Sequence, residues 1–235
     1  MLTNNFPSTE PFYNRDFSYQ LVHLTYRLAN SIPKAYILRL KDDYELALQI
    51  ANRGDVALLD QWLPADQPRT VAAVKDHFCL RYDHLLHQAT DGPMFLADQA
   101  AKEEIRKSWL HFTRKGAIEL IALCVMSNHV HVILRHPNPS GLTSFDWLLG
   151  RHKQYTATQI NRLQAAKGRQ VWAARGFDRD IRPGKFWTVL WYLINNPLQA
   201  KMTDNPLHWR GTWVKTGLVE GTRDLHTHGL IIPGH

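Results

Sequence analysis

Residues 118–134 read IELIALCVMSNHVHVIL, and this stretch decides the fold that the sequence predicts. Residues 118–125 are apolar apart from one Glu, a pattern typical of a buried β-strand. The Ser-Asn pair at 127–128 favours a turn, and a second apolar strand follows directly. The sequence therefore predicts an antiparallel β-hairpin at the centre of a sheet.

Two histidines open the second strand of this hairpin. Successive side chains of a strand point to opposite faces, so His129 and His131 share one face at a spacing of about 7 Å. Two imidazoles in this arrangement can converge on one metal ion. The pattern also fits ordinary strand histidines that bond to the backbone, and the sequence leaves both readings open.

Alternation and helical periodicity place further elements around the hairpin. Their order is β-(helical insert)-α-β-β-α-β, which predicts an α+β fold with a ferredoxin-like antiparallel sheet backed by helices. The predicted elements are a strand at 19–28, helical segments within 34–90, a helix at 93–115, the hairpin, a helix at 142–165, a strand at 170–180 and a helix at 184–195 that Pro197 ends.

The chain length allows one elaborated domain. We expect an N-terminal extension at 1–18, a single domain at 19–213 and a C-terminal tail at 214–235. A helical insert at about 34–92 follows the first strand of that domain. It could serve as a helical lid or platform for folded DNA, or as scaffolding, and the sequence does not distinguish these roles.

The helix at 142–165 carries a tyrosine and a glutamine four residues apart. Tyr155 and Gln159 are therefore neighbours on one helix face. A tyrosine that attacks phosphorus must lie beside a metal, and a glutamine carbonyl is a suitable hard ligand for such a metal. The alternative is a core aromatic residue and a surface glutamine.

The positive charge is concentrated near this helix. The chain has a net charge of +7, and residues 151–185 carry nine Lys and Arg against two Asp, which equals the whole surplus. Cations interspersed with aromatic rings suit the binding of unpaired nucleic acid. The candidate DNA-binding residues are Arg151, Lys153, Arg162, Lys167, Arg169, Trp172, Arg175, Arg179 and Arg182.

Two cysteines, Cys79 and Cys124, lack a metal-ligand or redox spacing, which fits a reducing compartment. We find no signal-peptide pattern, and no apolar run approaches 18 residues. We therefore expect a cytoplasmic, nucleoid-associated protein without a membrane span.

Several ordered blocks resemble the single-tyrosine HUH transposases, and among them the REP-associated tyrosine transposases. Residues 125–134 resemble the Met-Pro-Asn-His-Val-His segment of that family, with Ser127 where the family usually has Pro. The other blocks are residues 24–33, 153–162, 171–182 and the 192–200 segment YLINNPLQA, which resembles Tyr-Ile-x-x-Asn-Pro-x-x-Ala.

The resemblance implies a metal-dependent endonuclease and strand transferase that acts on single-stranded hairpin DNA, such as REP-like repeats, in transposition or DNA recombination. His129, His131 and Gln159 would bind Mg²⁺ or Mn²⁺. Tyr155 would form a covalent 5′-phosphotyrosine with the cleaved strand. The target hairpin, the physiological metal, the roles of Asp178 and Asp180, and action in cis or in trans stay open, with a monomer favoured over a homodimer.

Two other classes of function remain possible. A catalytically silent protein of this fold would bind hairpin DNA or RNA without cutting it, although all three predicted catalytic side chains are present. A metal-dependent phosphodiester hydrolase would use a bound water, and its turnover would survive the loss of Tyr155 but not of His131.

Overall fold

The computed structural model describes residues 16–89 and 91–218. A five-stranded antiparallel sheet has the strand order β4-β1-β3-β2-β5. The predicted α+β fold is confirmed, since β1 to β4 have the ferredoxin-like order and helices back the sheet. The strands are β1 (Val22–Leu28), β2 (Glu119–Val125), β3 (His129–Arg135), β4 (Trp172–Asp180) and β5 (Thr212–Val214).

The described residues also form five α-helices. Two follow β1, one precedes the central hairpin, one connects β3 to β4, and the last follows β4. Short 3₁₀ helices lie at 56–61, 95–97 and 206–208. The α-helices are α1 (Lys34–Arg53), α2 (Val71–Gln88), α3 (Gln99–Arg114), α4 (Phe145–Leu163) and α5 (Phe186–Gln199).

The two faces of the sheet are covered by different helices. Val130, Val132 and Leu134 of β3 pack in one core with residues of α3 and α4. Ile133 points to the other face and packs in a second core with residues of α5. Because His129 and His131 alternate with the valines, they share the α5 face of the sheet.

His152 of α4 lies fully buried in the first core. Its Nε2 is 2.7 Å from the hydroxyl of Tyr26 in β1, and its Nδ1 is 2.9 Å from Oγ of Ser108 in α3. Its ring stacks on Trp109 with centroids 4.4 Å apart. Burial lowers the pKa of His152 to about 3, so this imidazole is a neutral structural link between α4, α3 and the sheet.

The described residues 30–89 and 91–93 form a compact unit of their own, close to the insert expected at 34–92. In this unit α1 and α2 pack against each other, and Arg81 of α2 donates to Asp43 of α1 at 3.0 Å. Thr70 caps α2 by accepting from the backbone N–H of Ala73. The other described residues, 16–29 and 94–218, form the unit that contains the sheet.

Two details differ from the sequence-based expectation. Pro197 does not end α5, which continues to Gln199. A proline this close to the end of a helix removes one N–H, while its carbonyl still accepts, here from the backbone N–H of Met202. The structure also adds the short edge strand β5 beside β2, and three residues give too little alternation to reveal a strand.

Most of the expected N-terminal extension and C-terminal tail lies outside the described residues, which begin at 16 and end at 218. None of the helices that the structure describes is long and apolar enough to cross a membrane.

Candidate active site

A convergent pair of histidines forms the centre of the site. The Nε2 atoms of His129 and His131 lie 3.0 Å apart on the α5 face of β3, with the two rings edge to face. Both side chains are buried, at 1% and 0% exposure. The structure therefore brings together the two nitrogens that the sequence analysis assigned to a metal.

The other ring nitrogen of each histidine has a polar partner. Nδ1 of His129 is 2.6 Å from Oδ1 of Asn128, the last residue of the turn. Nδ1 of His131 lies 3.0 Å from Oγ1 of Thr25 and 3.1 Å from Nε2 of His23, both on β1. Such partners fix the orientation of metal-binding imidazoles in known sites.

The spacing of the pair fits two ligands of one divalent ion. Nitrogens 3.0 Å apart could both bind one divalent ion at metal–nitrogen distances of about 2.1 Å. Among residues 16–89 and 91–218, no group of three or more His, Cys, Asp or Glu is arranged so that it could hold a metal ion.

Tyr155 lies away from the histidine pair. It is on α4, which packs on the opposite face of the sheet, and its side chain is 42% exposed. Its hydroxyl donates to Oε2 of Glu104 in α3 at 2.7 Å. The Glu104 carboxylate raises the pKa of Tyr155 and so disfavours the phenolate that would attack phosphorus.

Gln159 follows one turn later on α4 and is half-buried. Because the sheet separates α4 from the imidazole nitrogens, neither Tyr155 nor Gln159 shares a site with His129 and His131 in this structure. The expectation that this helix packs within reach of the pair is thus corrected. Sequence spacing places two residues on a helix face but does not determine which face of the sheet that helix covers.

A different tyrosine lies beside the pair. The ring of Tyr192, in α5, is edge-on to His131 with centroids 6.1 Å apart, and edge-on to His23 at 6.2 Å. Tyr192 is half-buried, and Asn196, one helical turn later, is fully buried. In the sequence, this segment stands out only through its resemblance to Tyr-Ile-x-x-Asn-Pro-x-x-Ala. Its Tyr-x₃-Asn spacing matches the Tyr-x₃-Gln spacing of α4. This spacing was the signal in the sequence that could have identified Tyr192 and Asn196 as site residues.

His23 and Thr25 were also missed as site residues. The alternation of β1 places them on one face, opposite Val22 and Leu24. What brings them to the site is the pairing register, in which Thr25 faces His131 directly. That register is a long-range property for which the sequence of β1 offers no signal.

The predicted DNA-binding residues occupy several environments. Lys153 is half-buried and donates to the carbonyls of Ala173 and Ala174 at 2.8 and 3.2 Å. Arg169 donates to Gln164 at 2.7 Å and covers the ring of Phe95. The exposed cations are Arg151, Arg162, Lys167, Arg175 and Arg182.

Two further members of that predicted set lie inward. Trp172 is 5% exposed, and its indole N–H donates to Oγ1 of Thr156 at 2.9 Å, so the expectation of a ring available to nucleic-acid bases is corrected. The tryptophan fills the core between β4 and α4. Arg179 is half-buried, with its Nε 3.4 Å from Nδ1 of His23.

Comparison with known proteins gives few matches. No protein-family model matches the chain, and no curated protein matches it. A solved structure of the REP-associated tyrosine transposase bound to a REP hairpin is similar at 15% identity and a TM-score of 0.46, over 91% of this chain and 86% of that one. The assignment of the fold rests on the strand order of this chain itself.

Proposed function

We propose that this protein cleaves and rejoins single-stranded hairpin DNA in a metal-dependent reaction, through a covalent 5′-phosphotyrosine, as a transposase does. The observation that carries the proposal is the convergence of His129 and His131 next to a tyrosine on the same face of the sheet. The exposed cations around α4 and β4 suit a polyanionic substrate. The resemblance of the sequence to REP-associated tyrosine transposases points to hairpin DNA.

We further propose Tyr192 as the nucleophile in place of Tyr155. Tyr192 lies against the ring of His131, whereas Tyr155 bonds to Glu104 on the other side of the sheet. A nucleophilic group and the groups that polarise the phosphate must meet at one phosphorus atom. Asn196 has the position that Gln159 was expected to have, one turn after the tyrosine on the helix that covers the pair, and its carbonyl is a hard oxygen donor.

The proposed reaction conserves the energy of the phosphodiester bond in the phosphotyrosine bond. The phenol oxygen of Tyr192 forms a bond to phosphorus while the bond to the 3′ oxygen breaks, and the phenol proton ends on the departing 3′ hydroxyl. Attack by a 3′ hydroxyl on the phosphotyrosine reverses the step and joins strands without ATP. A divalent ion held by His129 and His131 would neutralise the non-bridging phosphate oxygens. Asn128 and Thr25 keep the two imidazoles oriented for that role.

A gel assay with matched tyrosine variants tests the proposal. Labelled hairpin oligonucleotides are incubated with Mn²⁺ and wild type, Tyr192→Phe or Tyr155→Phe, and the products are separated under denaturing conditions. We expect a labelled covalent adduct with wild type and Tyr155→Phe, and none with Tyr192→Phe or with a chelator. An adduct that is lost only in Tyr155→Phe would return the nucleophile to α4.

Hydrolysis by water is the second candidate, because the tyrosine first expected to attack does not share the face of the histidines. Cleavage without an adduct in wild type and both variants, abolished by His131→Ala, would establish that reaction. A matched control is His136→Ala, which removes a half-buried imidazole directly after the end of β3. Binding without any cleavage would indicate a silent binding protein.

A further inference from the structure

A chain of four hydrogen bonds runs through the histidine pair and beyond it. It begins at Nε of Arg179, 3.4 Å from Nδ1 of His23, and continues from Nε2 of His23 to Nδ1 of His131 at 3.1 Å. The Nε2 atoms of His131 and His129 are 3.0 Å apart, and Nδ1 of His129 reaches Asn128 at 2.6 Å. His23 and His131 also stack, with centroids 5.2 Å apart and 24° between the planes.

The ends of this chain determine where the protons are. A guanidinium group can only donate, so Nδ1 of His23 accepts from Arg179. An imidazole that accepts at Nδ1 has no proton there, so His23 carries its one proton on Nε2. His23 therefore donates to Nδ1 of His131.

The donor at His23 also determines the proton positions on His131 and His129. A neutral His131 that accepts at Nδ1 has its proton on Nε2 and donates to Nε2 of His129. His129 then has its proton on Nδ1 and donates to the amide oxygen of Asn128. Each bond has one donor and one acceptor. In this arrangement the Nε2 lone pair of His131, which a metal ion needs, is occupied by a proton.

A second acceptor offers the other tautomer. Oγ1 of Thr25 lies 3.0 Å from Nδ1 of His131 and can accept a proton there, which frees Nε2 without a change in the number of bound protons. The donating N–H of His23 and the accepting hydroxyl of Thr25 thus compete for one nitrogen.

We propose that His23, held by Arg179, is a positioning residue that selects the metal-blocked tautomer of His131, and that Thr25 selects the metal-binding tautomer. The inference rests on the proposed metal site. It adds that two side chains of β1, neither of them a metal ligand, control the affinity of the site for the metal. Loading of the site then depends on a proton shift within one imidazole ring.

The test combines a spectrum of the metal-free protein with metal affinities. In ¹⁵N-histidine-labelled wild type without metal, we expect the His131 ring to carry its proton on Nε2. His23→Phe keeps the stacked ring but removes the donor, so the proton should move to Nδ1 and the affinity for Mn²⁺ should rise about tenfold, the equivalent of one net hydrogen bond. Thr25→Val should lower the affinity for Mn²⁺ by a similar factor.

Two further variants protect the test against effects on folding. Arg179→Met changes a half-buried side chain, releases His23 to accept at Nε2, and should raise Mn²⁺ affinity in the same direction as His23→Phe. His84→Phe removes an exposed histidine of α2 and should leave the affinity unchanged.

The outcomes separate this inference from the proposed function. A proton on Nδ1 of His131 in the metal-free wild type would overturn the tautomer selection. Equal Mn²⁺ affinities of wild type, His23→Phe and Arg179→Met would overturn the control by β1. Absence of Mn²⁺ binding in all the proteins would refute the metal site and with it the proposed control of metal affinity. A proton found on Nε2 of His131 in that case would still support the hydrogen-bond chain.

Discussion

The buried imidazole of His152 makes the stability of the sheet-containing unit depend on pH. In the unfolded chain the imidazole has a pKa of about 6.5. In the folded protein burial lowers its pKa to about 3. Below pH 6.5 the unfolded chain therefore binds a proton that the folded chain does not, so this residue reduces stability progressively as the pH falls from 6.5 toward 3.

The effect is best measured at pH 5.0, which lies between the folded and unfolded pKa values of His152. At that pH the unfolded imidazole is about 1.5 pH units below its pKa, and the folded one is still neutral. At about 1.4 kcal/mol per unit, His152 lowers the free energy of unfolding by about 2 kcal/mol relative to pH 7.5.

The variant His152→Gln isolates this contribution, because its amide can still bond to Tyr26 and Ser108 but does not titrate. Urea unfolding is measured for both proteins at pH 7.5 and 5.0. Wild type is expected to be the more stable at pH 7.5, and its advantage should shrink by about 2 kcal/mol at pH 5.0. An advantage that stays constant across this range would refute the burial of a neutral His152. His84→Gln, on the exposed face of α2, serves as the control.

Three further predictions concern DNA binding, the buried Trp172 and the hydroxyl of Tyr155. Arg175→Ala should weaken binding of single-stranded DNA and reduce the slope of log affinity against log salt concentration by about 1. The control Arg53→Ala, in the insert, should change neither quantity. Fluorescence anisotropy at several salt concentrations measures both quantities. Trp172→Phe should lower the unfolding midpoint through the loss of a buried hydrogen bond and leave DNA affinity unchanged, whereas a selective loss of affinity would indicate base stacking. Glu104→Gln should lower the pKa of Tyr155, which a ¹³C-tyrosine NMR titration can follow, and an unchanged titration would show that the hydroxyl does not donate to this carboxylate in solution.

Local pattern was sufficient for much of the fold. The apolar run at 118–125, the turn and the alternation from His129 onward predicted the central hairpin, and the structure has it. Hydrophobic periodicity likewise predicted the helices on either side of that hairpin and the helical insert. A single sequence carries these patterns because burial of one face requires apolar residues at a fixed repeat, about 3.6 residues in a helix and 2 in a strand.

Part of the site could also be derived from the sequence. His129 and His131 had to share a face once β3 was assigned, and the structure brings their Nε2 atoms within 3.0 Å. The assignment of Tyr155 depended on a further step, namely which face of the sheet α4 covers. Helix periodicity identifies an apolar stripe but not its partner surface, so the same reasoning placed that tyrosine beside histidines that are on the opposite face.

The amino-acid sequence by itself determined the elements, the hairpin and the pairing of two imidazoles on one face, since each follows from contacts between residues close in the chain. Only the tertiary structure decided which helix covers that face and which residues of β1 face β3. These depend on sheet register and on the packing of elements more than 100 residues apart, as with His23 and His131. Tyr192 and His23 therefore enter the site through the fold, because their own neighbours in sequence impose no such contact.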